Sequence, residues 1–188
     1  MSIRSLRKRQ HGGGMTETLV AAFVFAIGIL GMGALQMTAK RTSYDALQRS
    51  QATALAHDII ERMRNNAGQL GSYVVDELGG GTIDTEPSPN CKTATCSAAQ
   101  LAAHDIWEWE QALDGASEIL SGTSVGGLVS PKACITNTAG AVVVAIAWKG
   151  YDDLGNPTGS TCGEGLNLYG TNEAQRQLLV IDTFIEAL

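Results

Sequence analysis

Few residues of this chain have types and spacing that could do chemistry. It carries three histidines, His11, His57 and His104, and four cysteines, Cys91, Cys96, Cys134 and Cys162. His57 stands beside Asp58 and His104 beside Asp105, residue types that acid–base catalysis uses. A helical histidine among charged neighbours reads more simply as a solvated surface residue. The chain has no G-x-S-x-G elbow, no H-E-x-x-H and no Walker loop. Gly79–Gly80–Gly81 and Gly163–Glu164–Gly165 lack the strand-then-helix setting that a phosphate loop needs. Asp76–Glu77 and Asp152–Asp153 are adjacent acids on turns, a pattern that water solvates. No catalytic constellation emerges, so the chain is expected not to be an enzyme and to need no cofactor and no metal.

The most informative carboxylate is Glu17. It stands at the head of 22 uncharged residues, 18–39, and behind a basic leader with Arg4, Arg7, Lys8 and Arg9, then His11 and Gly12, Gly13 and Gly14. A run of about 20 apolar residues at 1.5 Å rise each is long enough to span a bilayer. Three readings compete. A cleaved secretory signal would have a shorter apolar core and a small-x-small site after it. A plain single-pass anchor would hold the basic leader in the cytoplasm. Neither accounts for the glycines before Glu17. A carboxylate at the edge of a membrane span is costly and is a functional candidate for that reason. It could sit among headgroups, favour the helix dipole, or pair with a positive group in a low-dielectric setting.

The third reading is a resemblance. A basic leader ending in glycine, a glutamate at position five and about 20 apolar residues resembles the prepilin signature of type IV pilins and their secretion-system relatives, commonly G-F-[TS]-L-x-E. Here the run is Gly12–Gly13–Gly14–Met15–Thr16–Glu17, with glycine where the family has an aromatic. Cleavage after Gly12 makes Gly13 position one and Glu17 position five. Cleavage after Gly13 or Gly14 would put Glu17 at position four or three. The segment 47–65, L-Q-R-S-Q-A-T-A-L-A-H-D-I-I-E-R-M-R-N, is similar to minor pilins of the PilV type, also called type IV pilus modification proteins. So is the stretch from Cys96 through His104–Asp105 to Trp107–Glu108–Trp109. The resemblance implies cleavage between Gly12 and Gly13 by a prepilin peptidase and N-methylation of Gly13. It also implies pairing of Glu17 with a neighbouring subunit's amino terminus. The implied partners are other minor pilins, the major pilin and the inner-membrane pilus assembly platform, in a minor-pilin complex that primes or caps fibres for motility and adhesion. The alternatives are a type II secretion pseudopilin, or a membrane-anchored periplasmic binding domain or enzyme that does not polymerise.

At 188 residues the chain holds one globular domain plus a helix. Its net charge is −6. Removing the leader takes four of the 13 basic residues and no acidic ones, leaving nine against 19, a net of −10. A body this acidic argues against nucleic acid as a partner class, and a positive leader with a negative domain suits a membrane protein with its domain in the periplasm. The expected divisions are a leader 1–12, a membrane and assembly half-helix 13–39, a soluble half-helix 40–66 and a globular domain 67–188.

Residues 40–66 contain no proline or glycine. Tyr44, Leu47, Leu55, Ile59 and Met63 recur at helical spacing, and Asp45 with Arg49 and Asp58 with Arg62 are four apart. One helix is predicted over about 15–66, roughly 75 Å if straight. Gly28, Gly31 and Gly33 inside it fit either a bend or close packing of membrane helices. The stretch 68–95 reads as loop with a brief strand at 73–75. A helix is predicted over 98–113, with Trp107 and Trp109 too close in sequence to share one stripe. Strands are predicted at 128–136, 141–148 and 177–185. The expected class is α+β, a long N-terminal helix covering one face of an antiparallel sheet, which is also the pilin fold that the resemblance implies.

An exported domain with an even cysteine count favours disulfides. Four cysteines allow three connectivities. Linking chain neighbours across a loop favours Cys91 with Cys96 and Cys134 with Cys162. A metal site built on these cysteines with His57 or His104 lacks any C-x-x-C pair, and C-x4-C alone is weak evidence for zinc.

Overall fold

The computed structural model describes residues 14–116, 118–121, 123–124 and 126–186. The first element, α1 (Gly14–Asn65), is one hydrogen-bonded helix of 52 residues. Glu17 lies in its first turn and Arg62 and Arg64 in its last, each matching the sign that the helix dipole favours there. Gly28, Gly31 and Gly33 are all helical. The chain divides after Ser43 into two compact units, so α1 belongs to both.

In the first unit the described residues of α1 are exposed throughout. In the second, its residues 44–65 help build a core with a sheet and a second helix, α2 (Ala98–Leu113). The sheet has four antiparallel strands in the order β1 (Val75–Leu78), β4 (Lys132–Thr138), β5 (Ala141–Lys149) and β6 (Arg176–Phe184). A separate two-residue hairpin, β2 (Ile119–Leu120) with β3 (Thr123–Ser124), lies between α2 and β4.

β5 is central because its sequence suits a doubly covered strand. Val142, Val144, Ile146 and Trp148 are buried and belong to the core cluster with Ala52, Ala56, Ile59, Ile60 and Met63 of α1. The alternate residues Ala145 and Ala147 are also buried. They lie on the face that carries Cys134, since Cys134 pairs with Ala145 across the strands. β4 and β5 are joined by Ala139–Gly140, both at positive φ (51° and 90°), the geometry that suits a two-residue hairpin. A Cβ at Gly140 would stand 2.7 Å from the Ile185 carbonyl oxygen, so glycine is required there for space as well as for φ.

The α+β architecture agrees with the sequence, and four details are corrected. The sheet has four strands, because the acidic Val75–Leu78 segment adds an edge, with an irregular register between Val75 and Leu78 against β4. Tyr73 is not in a strand but ends a 3-10 stretch, Ala67–Tyr73, and is fully buried. β4 starts at Lys132, four residues later than predicted. Pro131 has no N–H to give a ladder, while Leu128 and Val129 donate theirs to the Leu113 carbonyl (3.0 Å) and Gln48 Oε1 (3.1 Å).

The fourth correction is the buried face of α1. Tyr44 and Leu47 are 40% and 54% exposed, and the buried residues are Gln48, Ala52, Ala56, Ile59, Ile60 and Met63. Small residues take two of these places, Ala52 and Ala56, both fully buried in the core, where a larger side chain would have to displace packed neighbours. Trp109 fixes the seat from the other side. It is fully buried, and its Nε1 donates to the Leu55 carbonyl at 2.9 Å.

Candidate functional site

The N-terminal part of α1 is the candidate assembly surface. Leu19, Val20, Phe23, Val24, Phe25, Ile27, Ile29, Leu30, Met32, Leu35 and Met37 are 55–75% exposed. An 18-residue window here has a mean hydropathy of 2.3 with none of it buried, so the helix is long and apolar enough to cross a membrane. A Cβ at Gly28, Gly31 or Gly33 would meet nothing within 4 Å. Surface of this kind is a large exposed apolar patch that water does not tolerate and another apolar phase or helix would cover.

Glu17 is exposed on the first turn of α1. Among the described residues it has no ion-pair partner. Thr18 turns its hydroxyl onto the carbonyls of Gly14 (2.9 Å) and Met15 (3.0 Å), which ties the turn that holds Glu17. Gly12 and Gly13, the expected cleavage and methylation positions, lie outside the described residues.

Two disulfides close the loops of the second unit. Cys91 is bonded to Cys96, five residues on, in the segment before α2, and Cys134 is bonded to Cys162 across 28 residues. Cys134 lies within β4. The second bond pins the long 150–175 loop onto the sheet face opposite α1. Arg176 holds the same loop from below with its side chain fully buried. Its Nε donates to Asn156 Oδ1 (2.8 Å), Nη1 to the Ser160 and Cys162 carbonyls (2.9 and 2.8 Å) and Nη2 to the Pro157 carbonyl (2.7 Å).

α2 is joined to α1 by ion pairs and hydrogen bonds. Arg62 reaches Asp58 (3.0 Å), Asp105 (3.0 Å) and Glu108 (2.8 Å). Burial opposes its charge, and the hydrogen bonds to Glu108 and Asp105 outweigh that and raise its pKa. Asp105 also accepts from the Tyr73 hydroxyl at 2.6 Å, and Asn66 donates to Tyr73 (3.2 Å) and to the Ala98 carbonyl (2.8 Å). Burial, together with the bond to Asp105, pushes the Tyr73 phenol well above the usual tyrosine range. A second set of bonds involves Glu110, in the last turn of α2, and Asp114, its C-cap. Glu110, fully buried, accepts the backbone N–H groups of Gly79 (3.1 Å), Thr82 and Ile83 (2.7 Å). Asp114 accepts those of Gly80 (2.7 Å) and Gly81 (2.9 Å). The triple-glycine loop thus spends its amides on the chain's own carboxylates and presents no phosphate cradle.

His57 is exposed, as a solvated helical histidine should be. His104 and Asp105 are not: they are 2% and 8% exposed, a correction to the surface reading. His104 faces Glu86 and lies beside Trp107. Among the described residues the partners of His104 are Glu86, Glu108 and Trp107, none of them a nucleophile in place for attack, and no group of three or more acidic, histidine or cysteine side chains is placed to hold a metal ion.

Sequence reasoning missed Gln48, Glu110 and Arg176. Glu110 and Asp114 at helical spacing, after a Gly-Gly-Gly loop rich in free amides, were a signal that could have been read. Nothing in the sequence marks Arg176 as buried. No curated protein and no solved structure matches the chain. Over residues 34–107, which take in the end of the apolar run, the soluble half of α1, β1, the Cys91–Cys96 loop and the first part of α2, the chain is similar to the Tt1218-like family, type IV pilin Tt1218.

Proposed function

We propose that this chain is a prepilin that matures into a minor pilin of the type IV pilus, of the PilV type. The carrying observation is α1 itself. One helix leaves its whole apolar N-terminal half exposed, while its C-terminal half is core to a disulfide-closed α+β domain. A fibre subunit needs this division: a greasy helix for the bilayer and then for its neighbours, and a water-stable head. The similarity to a type IV pilin family over 34–107 supports the same reading and points to a structural protein rather than an enzyme.

In this proposal residues 1–12 are the leader, cut after Gly12 by a prepilin peptidase, and Gly13 is N-methylated. Residues 13–39 wait in the inner membrane with the domain in the periplasm. On assembly, Glu17 neutralises the amino terminus of an adjacent subunit. That pair would be buried among apolar helices, where leaving one charge unmatched is strongly unfavourable. The minor-pilin complex then primes or caps the fibre, and the exposed loops of the acidic domain face outward, serving motility and adhesion.

Intact mass with N-terminal sequencing, on protein from its native membrane, tests this. The expected species begins at a methylated Gly13 and is recovered in sheared surface fibres. A chain still beginning at Met1 would overturn the proposal and leave an anchored periplasmic domain. Correct processing with recovery only beside a type II secretion apparatus would make it a pseudopilin.

A further inference from the structure

The segment between β1 and α2 is fastened in two different ways. Its first residues, 79–83, are held by backbone bonds to Glu110 and Asp114. The following strap, 84–96, is fastened to α2 mainly through side chains, and a buried histidine is central to them. The His104 side chain is 3% exposed. Its Nε2 lies 3.3 Å from Glu86 Oε1 on the strap, and its Nδ1 lies 4.0 Å from Glu108 Oε2 on α2. Asn90 of the strap donates to the same Glu86 oxygen at 2.6 Å.

We propose that His104 is a proton-operated clasp that holds the 84–96 strap, with its Cys91–Cys96 loop, against α2. Both ring nitrogens face carboxylate oxygens. A neutral imidazole has one N–H and one lone pair, so it can satisfy one carboxylate while turning a lone pair toward the other. In the imidazolium the Nε2–H bond to Glu86 is charge-assisted and stronger, while Nδ1–H, 4.0 Å from Glu108, adds a through-space attraction and no hydrogen bond. The strap is therefore tighter when His104 carries the proton and looser when it does not. Histidines exchange that proton in the range of about pH 5 to 8.

The surrounding charges favour this arrangement. From the strap, Glu86 and Lys92 face the site, and Lys92 is paired with Glu108. From α2 come Asp105 and Glu108, and from α1 come Arg62 and its partner Asp58. Glu108 stays an anion across the working range. Burial works against its charge, but hydrogen bonds from Arg62 and Lys92 outweigh burial and keep its pKa below the usual carboxylate value. The clasp does not depend on assembly into a fibre. It would change how firmly Lys92, Thr93, Ala94 and Thr95, all exposed, are presented as external pH changes.

Hydrogen exchange on the full chain in detergent micelles, with both disulfides intact, tests the clasp. Peptides covering 84–96 are compared at pH 5.5 and 8.0 after correction for intrinsic exchange. The expected result is about fivefold more protection at pH 5.5, the size of one charge-assisted hydrogen bond over a neutral one, with β5 peptides unchanged. His104→Gln and Glu86→Gln should each remove the pH dependence. Equal protection at both pH values, a dependence that persists in either variant, or a parallel change in β5 would overturn the proposal. If His104→Gln does not fold, Glu86→Gln decides alone, because that side chain is 36% exposed and its described bonds are to His104 and Asn90.

Discussion

The two halves of α1 form a single helix with opposite surfaces. In the first, phenylalanine, leucine, isoleucine and methionine stand exposed. In the second, Ala52 and Ala56 are 0% exposed while Leu47 is 54% exposed. Hydropathy alone would exchange Leu47 with Ala52 and Ala56, though it places Ile59, Ile60 and Met63 correctly. What decides is where the partner surface comes from. The second half is covered by its own chain, whose packed core leaves Ala52 and Ala56 no exposed surface. The first half has no covering surface among the described residues, so large apolar groups there gain only from a bilayer or another helix.

Two glutamates offer the strongest way to break this comparison. Glu110 is inside the domain with three amide donors, and Glu17 is exposed, with no ion-pair partner among the described residues. Replacing Glu110 with alanine leaves three N–H groups without their acceptor. That should cost about 3–5 kcal/mol of domain stability, read from chemical unfolding followed by Trp fluorescence in detergent. Glu17→Ala should leave that unfolding curve unchanged while removing the protein from sheared fibres. If Glu17→Ala destabilised the domain as Glu110→Ala does, the two halves of α1 would not be energetically separate.

A second contrast lies within the soluble half. Ala56→Leu forces three extra carbons into a packed seat and should cost about 1–3 kcal/mol. Leu47→Ala removes an exposed side chain and should stay within about 0.5 kcal/mol. Equal losses from the two would mean that the helix seats on its leucine stripe after all. Both are measured by the same unfolding experiment, with unchanged circular dichroism as the check on fold.

This contrast also shows how much the sequence disclosed. The length of α1, the bounds of α2, the β5 strand and the α+β class were legible, because long periodic runs and β-branched stretches bias local structure strongly. Ser97 shows why the start of α2 was sharp. It forms a capping box with Gln100, accepting that residue's N–H while the Gln100 side chain accepts the Ser97 N–H. The buried face of α1 was not legible, since periodicity gives a face only to within a residue and alanine carries little hydropathy signal. β1 was missed because V-D-E-L shows no strand pattern and is recruited by β4. Arg176 and Glu110 were missed because their value comes from carbonyls and amides brought together from distant loops. The candidate assembly segment was the most readable part, for it needs no tertiary context to stand out.

Tyr73 sharpens the comparison by pH. Its phenol pKa is raised by burial and by the bond to Asp105. A raised acid favours the protonated folded state, so this contribution is complete below the free tyrosine value of about 10 and is lost as pH rises above it. Burial raises Tyr169 in the same direction, so the domain should lose stability above about pH 10. Tyr73→Phe should cost about 1–2 kcal/mol at pH 7, for the Asp105 and Asn66 bonds lost, and should lessen the alkaline loss. An unchanged alkaline slope in Tyr73→Phe would place that sensitivity elsewhere.

The smallest effect is expected where the two helices' ion pairs meet water. Arg62 bonds three carboxylates, but they are not equivalent. Asp58 is 47% exposed and four residues away on the same helix, while Asp105 and Glu108 are 11% and 19% exposed and belong to α2. A pair at i, i+4 on a solvated face contributes only about 0.2–0.5 kcal/mol, and added salt screens it. Asp58→Asn should therefore change unfolding by no more than about 0.5 kcal/mol, with the difference vanishing in 1 M salt, on the order of a 3 Å screening length. Asp105→Asn removes a charge that also accepts the Tyr73 hydroxyl, and its effect should exceed that of Asp58→Asn and survive salt. If Asp58→Asn cost as much as Asp105→Asn, Arg62 would be serving α1 locally, and the joint between α1 and α2 would rest on Trp109 and the apolar core alone.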